Sequence, residues 1–148
     1  MNIIKEIIQD AEIVDFGIYK SRDEFSLMDY NSPSGTILAG GTIKLVEQTE
    51  KIPAKIGLKF GFRFSLSEEL QKRQLKTVYH FPEIKNPETG KATARFESGG
   101  LAYMDGDVTF ALYAFTDPWE LVPGEWTFQV FDGDRMLVEK KFTVVKAD

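Results

Sequence analysis

The sequence predicts an all-β fold, an immunoglobulin-like antiparallel β-sandwich of about seven strands with little helix. Three observations lead to this prediction. Apolar residues recur at every second position in several short segments, turn-forming residues separate those segments, and nothing indicates the alternation of strands and helices that builds a parallel sheet. A partly closed barrel is the alternative architecture.

We expect one domain to cover residues 1–148, because a chain of 148 residues is close to the commonest domain size. A hydrophobic fraction of 43% and a charged fraction of 28% are ordinary for a folded chain with its own core. Residues 1–10 could form an N-terminal extension. The isoleucines at positions 3, 4, 7 and 8 fit a helix or a strand equally well.

The clearest strand signal lies in residues 55–66. Six apolar side chains alternate there with glycine, serine and cations: Ile56, Leu58, Phe60, Phe62, Phe64 and Leu66. A spacing of two puts all six on one face of a strand, which we expect to face the core. The opposite face should meet solvent, as an antiparallel sheet allows.

Six further segments are predicted as strands: 11–20, 36–48, 74–81, 108–116, 125–131 and 135–145. Residues 108–116 are apolar on both faces, which is typical of a central, well-covered strand. Ser67 is expected to cap a single helical turn over 67–72. The expected core comprises Phe16, Ile18, Leu58, Phe60, Phe62, Phe110, Leu112, Trp126, Phe128, Phe142 and Val144.

Residues 82–106 form the longest weakly patterned stretch, with room for a short strand at 92–96. Long loops in compact domains are often functional or mobile. The sequence therefore marks this stretch as the first loop in which to look for a function.

Composition excludes several classes of function. The formal net charge is −5 with no basic run, which argues against nucleic acid as a partner. The absence of cysteine excludes disulfides, thiolate nucleophiles and cysteine-based zinc sites. Lys5, Glu6 and Asp10 interrupt the apolar N-terminus, and no run is long enough to span a membrane. We expect a cytoplasmic protein, or an envelope or periplasmic one if a signal peptide has been removed.

His80 is the only histidine. A catalytic triad needs a nucleophile and an orienting carboxylate besides the histidine, and no sequence pattern places them near it. A histidine between Tyr79 and Phe81 on a strand is more often a packed or surface residue, and this is the interpretation we adopt.

Two Asp-Gly-Asp motifs could hold a metal ion. Asp105 and Asp107 precede the strand at 108–116, and Asp132 and Asp134 follow the strand at 125–131. If these strands are antiparallel neighbours, the four carboxylates lie at one end of the sandwich and could supply oxygen ligands to calcium. Tight turns already explain each motif, and this is the interpretation we favour over a calcium site; we expect no other cofactor.

Trp119 and Glu120 are the candidates for contact with a ligand or partner. An exposed tryptophan beside carboxylates could stack on a sugar or anchor a protein, because aromatic residues dominate binding hot spots. The alternative, which we favour, is that Trp119 folds back over the end of the core.

Several blocks resemble a known family. They are Phe16-Gly17-Ile18-Tyr19, Phe60-Gly61-Phe62-Arg63-Phe64, His80-Phe81-Pro82 with Asn86-Pro87 and Gly90, Pro123-Gly124-Glu125-Trp126 within 121–137, and Lys141-Phe142-Thr143-Val144. Together they resemble the bacterial family catalogued as domain of unknown function 3859, over most of the chain from about residue 11. The resemblance implies no activity, substrate or catalytic residue.

The residues therefore predict a non-catalytic binding or interaction module with a protein partner, either monomeric or dimeric through an edge strand. The alternative is a small-ligand or metal-binding domain, or a minor enzyme, that works through the acidic turns at one end of the sandwich. A concave acidic pocket would favour the alternative.

Overall fold

The computed structural model of the protein describes residues 10–22, 25–28, 32–34, 36–39, 42–99 and 107–147. The isoleucines near the N-terminus and Asp105 lie outside these residues. The described elements, in chain order, are β1 (Ala11–Arg22), β2 (Phe25–Met28), β3 (Thr36–Ala39), β4 (Thr42–Glu47), β5 (Lys51–Ala54), β6 (Lys59–Leu66), α1 (Glu68–Gln71), β7 (Lys76–Lys85), β8 (Ala92–Gly99), β9 (Val108–Ala114), a 3₁₀ helix (Pro118–Glu120), β10 (Gly124–Asp132) and β11 (Arg135–Lys146).

The strands form two main sheets packed face to face. The four-stranded sheet has the order β4-β1-β6-β9, and the five-stranded sheet has the order β5-β11-β10-β7-β8. All neighbours are antiparallel except β5 and β11, which are parallel. β2 and β3, which lie between β1 and β4 in the sequence, pair with each other in a separate two-stranded sheet. This arrangement confirms the predicted all-β sandwich.

Aromatic rings fill the space between the sheets. Phe60 on β6 is fully buried and lies 5.3–5.7 Å, between ring centroids, from Phe115, Trp126, Phe128 and Phe142. These rings come from both sheets, so the alternating apolar residues of each sheet meet in one core. Most of the predicted core is buried: Phe60, Phe62, Leu112, Trp126, Phe128, Phe142 and Val144. Phe16, Ile18 and Leu58 are partly buried against it.

The prediction for β9 was wrong in two respects. The strand is the outer member of the four-stranded sheet, not a central strand. Its core-facing side chains include Ala111 and Tyr113, which pair with Phe62 and Phe60 of β6. Phe110 and the buried Leu112 therefore occupy the opposite face. A segment that is apolar on both faces carries no signal that shows which face points inward.

The strand predicted from residue 55 begins later. β6 starts at Lys59, and Ile56 is 48% exposed. Gly57 adopts a left-handed φ of 87°, and the Leu58 N–H donates to the Lys55 carbonyl at 3.1 Å, so residues 55–58 form a turn. The alternation in sequence runs through this turn although the strand does not.

Two other segment boundaries also differ from the prediction. The strand expected over 36–48 is divided between β3 and β4, which lie in different sheets. Much of the stretch expected to be a loop, 82–106, is the hairpin of β7 and β8, and Pro82 lies within a register irregularity between His80 and Ile84. In contrast, the short helix forms where predicted, with the Leu70 N–H donating to Ser67 Oγ.

Gly17 and Gly61 let the strands of the four-stranded sheet approach closely. The two residues face each other between β1 and β6, with φ values of 132° and 152°. A Cβ atom on Gly17 would lie 2.1 Å from the Glu47 carbonyl oxygen, and one on Gly61 would lie 2.0 Å from the Ala111 carbonyl oxygen. Any side chain at these positions would push β4 or β9 away.

Candidate functional site

A row of polar side chains crosses the outer face of the five-stranded sheet. His80 on β7 lies 2.9 Å (Nε2 to Oε1) from Gln129 on β10, and Gln129 Nε2 donates to Glu139 Oε2 on β11 at 2.7 Å. Because the amide nitrogen of Gln129 donates to the carboxylate, its oxygen is left to accept, and His80 Nε2 carries the hydrogen. We call His80, Gln129 and Glu139 the polar row.

Strand register produces the polar row. Gln129 faces Glu139 directly across β10 and β11, and His80 lies diagonally from Gln129, opposite Thr127. The intervening Phe128 is fully buried, so the residues on either side of it point outward. Directly opposed side chains lie about 5 Å apart between Cβ atoms, which suits a hydrogen bond between long polar groups.

An apolar corner lies on the same face, near the turn between β10 and β11. Phe131 and Met136 are paired across these strands, and Met136 is 49% exposed. The ammonium of Lys76 lies 5.6 Å from the centre of the Phe131 ring, within range of a cation–π contact. Exposed methionine and aromatic residues beside polar groups are enriched at protein interfaces. We call Phe131 and Met136 the apolar corner.

Glu120 lies in the 3₁₀ helix between β9 and β10. Its side chain is fully buried, and its carboxylate accepts from the Tyr113 hydroxyl, from Thr116 Oγ1 at 2.6 Å and from the Asp117 N–H at 2.8 Å. Burial raises the pKa of this carboxyl, and the hydrogen bonds partly offset the rise. The carboxylate of Glu120 is therefore held by donors within the protein, and its role in contact with a ligand or partner stays a prediction.

The sequence did contain a signal for this role. Asp117, Pro118 and Glu120 occupy the N-cap, N1 and N3 positions of the 3₁₀ helix. Glutamate at N3 often turns back to accept from the N-cap N–H, as Glu120 does here. A capping interpretation of Asp-Pro-x-Glu would have predicted an inward-facing carboxylate.

Trp119 is partly buried and packs against the core cluster together with Leu121 and Val122. The Trp126 Nε1–H donates to the Val122 carbonyl at 3.0 Å. This hydrogen bond holds the connection between β9 and β10 against the core. The packing supports the view that Trp119 covers one end of the core. Its role in binding stays a prediction.

The acidic turns flank strands that are not neighbours. Asp107 precedes β9 in the four-stranded sheet, whereas Asp132 ends β10 and Asp134 lies in the turn between β10 and β11 in the five-stranded sheet. Asp132 accepts from Arg73 Nε at 3.0 Å. Among the described residues, no three histidine, cysteine, aspartate or glutamate side chains are grouped to hold a metal. Asp105 lies outside those residues, and the calcium site stays a prediction.

The outer face of the four-stranded sheet carries an ion pair that the sequence alone does not predict. Arg63 Nε donates to Asp15 Oδ1 at 2.8 Å, Arg63 Nη2 contacts Oδ2, and the hydroxyl of the buried Tyr19 donates to Oδ1 at 2.7 Å. The Arg63 hydrogen bond holds the pKa of Asp15 below its usual value, and burial raises the pKa of Tyr19. Only the pairing of β1 with β6 brings Asp15 opposite Arg63.

This architecture is that of an immunoglobulin-like sandwich. The chain is similar to an immunoglobulin-like protein from Pseudomonas aeruginosa whose crystal structure is known. The two share 30% sequence identity with a TM-score of 0.66, over 91% of this chain and 96% of that chain. More particularly, the chain belongs to the family described as domain of unknown function (DUF3859), whose model matches residues 8–144.

No curated protein matches the chain. In the part of the chain that the structure describes, no helix is long and apolar enough to cross a membrane.

Proposed function

We propose that this protein is a non-catalytic interaction module that binds a protein partner through the outer face of its five-stranded sheet. The observation that carries the proposal is the polar row beside the apolar corner. The row presents groups already held in place by their own hydrogen bonds, and the corner presents the exposed thioether of Met136.

Preorganisation makes this face suited to binding. Fixing a long polar side chain on binding costs about 0.5–1.5 kcal/mol, and the hydrogen bonds of Gln129 have already restricted it. Glu139 of the row is exposed on β11, and so are Lys141 and Thr143 beside it. An apolar patch with a mixed polar rim suits a folded protein surface that offers an apolar pocket and hydrogen-bonding groups around it.

The proposal is tested by site-specific photocrosslinking in the cell of origin. A photoreactive residue replaces Met136 or Glu139 on the candidate face, and Val14, 51% exposed on the other sheet, is the control position. We expect one discrete crosslinked protein from positions 136 and 139 that is absent from position 14.

The identified partner is then purified, and its affinity for the full chain is measured by calorimetry. Met136→Glu should weaken binding at least tenfold, because it buries a charge in an apolar contact. Val14→Glu introduces the same charge at a similarly exposed position and should leave the affinity unchanged. Equal crosslinking from both sheets, or full affinity of Met136→Glu, would refute the proposal.

A further inference from the structure

β8 is the outer strand of the five-stranded sheet. It pairs with β7 on one side, and within the described part of the chain no strand pairs with its other side. An outer strand presents a row of backbone N–H and C=O groups that can accept another strand. At eight residues, Ala92–Gly99, β8 is also the longest outer strand of the described sheets.

The other outer strands are less suited to pairing. β5 has four residues and contains Pro53, which lacks a backbone donor. β9 has β3 close beside it. β4 has six residues, two fewer than β8, and exposes Val46. Short outer strands and prolines discourage pairing at sheet edges.

Symmetry limits how two copies of one strand can pair. In an antiparallel pair, a residue whose backbone groups point at the partner must face a residue that does the same. Two copies related by a two-fold axis can therefore pair only where the facing residue numbers add to an even number. One residue then faces itself at the axis.

Charge selects one of these registers for β8. If Arg95 or Glu97 lay at the axis, each would face its own copy, and like charges would repel. If Phe96 lies at the axis, Arg95 faces Glu97 of the second copy, and this pair occurs twice. In β4, by comparison, the residue numbers of Lys44 and Glu47 add to an odd number. These two residues therefore cannot face each other across a two-fold axis.

The side chains of β8 fit this register. Phe96 is buried in the core, so Arg95 and Glu97 both lie on the outer face, where Arg95 Nη2 is 2.9 Å from Glu97 Oε1 of the same strand. Directly facing residues on paired strands have Cβ atoms about 5 Å apart, against roughly 7 Å for alternate residues along a strand. Ala94 would face Ser98, and neither side chain is large enough to obstruct pairing.

We propose that β8 pairs with β8 of a second copy of this chain, antiparallel and centred on Phe96. The product is a continuous ten-stranded sheet in which both outer faces point the same way. A single strand pair buries less than the roughly 1,000 Å² typical of stable interfaces, so the dimer forms reversibly and weakens with salt. The proposal does not rest on the function proposed above, although the dimer would present two copies of that face side by side.

The test is the dimerisation constant of the full chain, measured by sedimentation equilibrium at low salt up to about 1 mM protein. Arg95→Glu alone and Glu97→Arg alone each place two like-charged pairs across the axis and should weaken dimerisation at least tenfold. The double variant restores opposite charges and should return to within about threefold of wild type. Lys141→Glu, on the same face but distant from β8, changes the net charge by the same amount as Arg95→Glu and should dimerise normally.

A distance measurement tests the register itself. Because the chain has no native cysteine, a spin label can be attached through Ala92→Cys or Ala94→Cys alone. Pairing centred on residue 96 predicts Cα separations of about 27 Å for position 92 and about 14 Å for position 94. A chain that stays monomeric at about 1 mM, a double variant that does not recover, or distances that do not shorten toward residue 96 would each overturn the proposal.

Discussion

Replacement of the buried Glu120 tests whether its carboxylate stabilises the connection between β9 and β10. Glu120→Ala removes the acceptor for the Tyr113 hydroxyl, the Thr116 hydroxyl and the Asp117 N–H. We expect this variant to fold with lower stability, because these groups are positioned around the carboxylate and the Tyr113 hydroxyl lies away from water.

The magnitude follows from the burial of each donor. Thr116 is exposed, so its hydroxyl can bond to water, whereas Tyr113 is only 6% exposed. A buried donor without an acceptor costs about 1–3 kcal/mol, and Tyr113 together with the part-buried Asp117 N–H therefore accounts for at most about 2–6 kcal/mol. Removing a buried carboxylate also relieves its desolvation cost, so we expect the lower part of this range, about 2 kcal/mol.

Urea unfolding at neutral pH measures this loss, with Glu120→Gln as the matched variant. Glutamine keeps one oxygen for the Thr116 and Asp117 donors, and its amide can donate to Tyr113 if that hydroxyl rotates. Glu120→Gln should thus retain more stability than Glu120→Ala. A loss below about 0.5 kcal/mol in Glu120→Ala would refute the reasoning, because it would show that the buried donors do not need this carboxylate.

The pH dependence provides a second measure of the same carboxyl. Burial raises its pKa above the usual 4.5, so the folded state holds the proton at a higher pH than the unfolded state does. The stabilisation that comes from this tighter proton binding by the folded state is fully present below about pH 4.5, and it is lost as the pH rises through the pKa of Glu120 in the folded state. Relative to wild type, Glu120→Gln should therefore gain stability as the pH rises, and a difference independent of pH would contradict the assignment.

Three further changes test other parts of the structure by the same unfolding assay. Gly61→Ala should lower the free energy of unfolding by about 3 kcal/mol or more, since the added Cβ would meet a backbone oxygen. Gly133→Ala should lower it by only about 1 kcal/mol, because an added Cβ there has no neighbour within 4 Å. Equal losses in the two variants would exclude the proposed clash at Gly61. Asp15→Asn should destabilise at neutral pH, and because the pKa of Asp15 is lowered, the deficit should shrink as the pH falls below about 4; a constant deficit would contradict the ion pair. Trp119→Ala should lower the melting temperature by roughly 4–8 °C through lost packing, and an unchanged melt would favour the docking role.

Local patterns in the sequence predicted most of the strands. The expected segments 11–20 and 125–131 appear as Ala11–Arg22 and Gly124–Asp132, because alternation and turn residues are properties of neighbouring positions. The position of β9 could not be predicted in this way. Sheet order depends on which strands meet, and an apolar strand fits a central or an outer place equally well.

The candidate site depends on strand register more strongly than the positions of the strands in the sequence do. His80 and Gln129 lie 49 positions apart in the sequence, and Asp15 and Arg63 lie 48 apart. Neither pair has a spacing signature, because hydrogen bonds across a sheet are set by register and not by distance along the chain. Glu120 is the opposite case, since its partners are at most seven positions away and a capping pattern marks it.

These cases separate two kinds of polar residue in a sandwich. A polar residue whose partners are close in sequence, such as Glu120, is identified by turn and cap chemistry, and its role is to hold the connection between strands. A polar residue on an alternating strand, such as His80 or Arg95, acquires its partners only from the neighbouring strands. In this protein the second kind forms both the polar row and the charge pair of β8, so the surfaces proposed for binding follow from register, which must be known before either surface can be recognised.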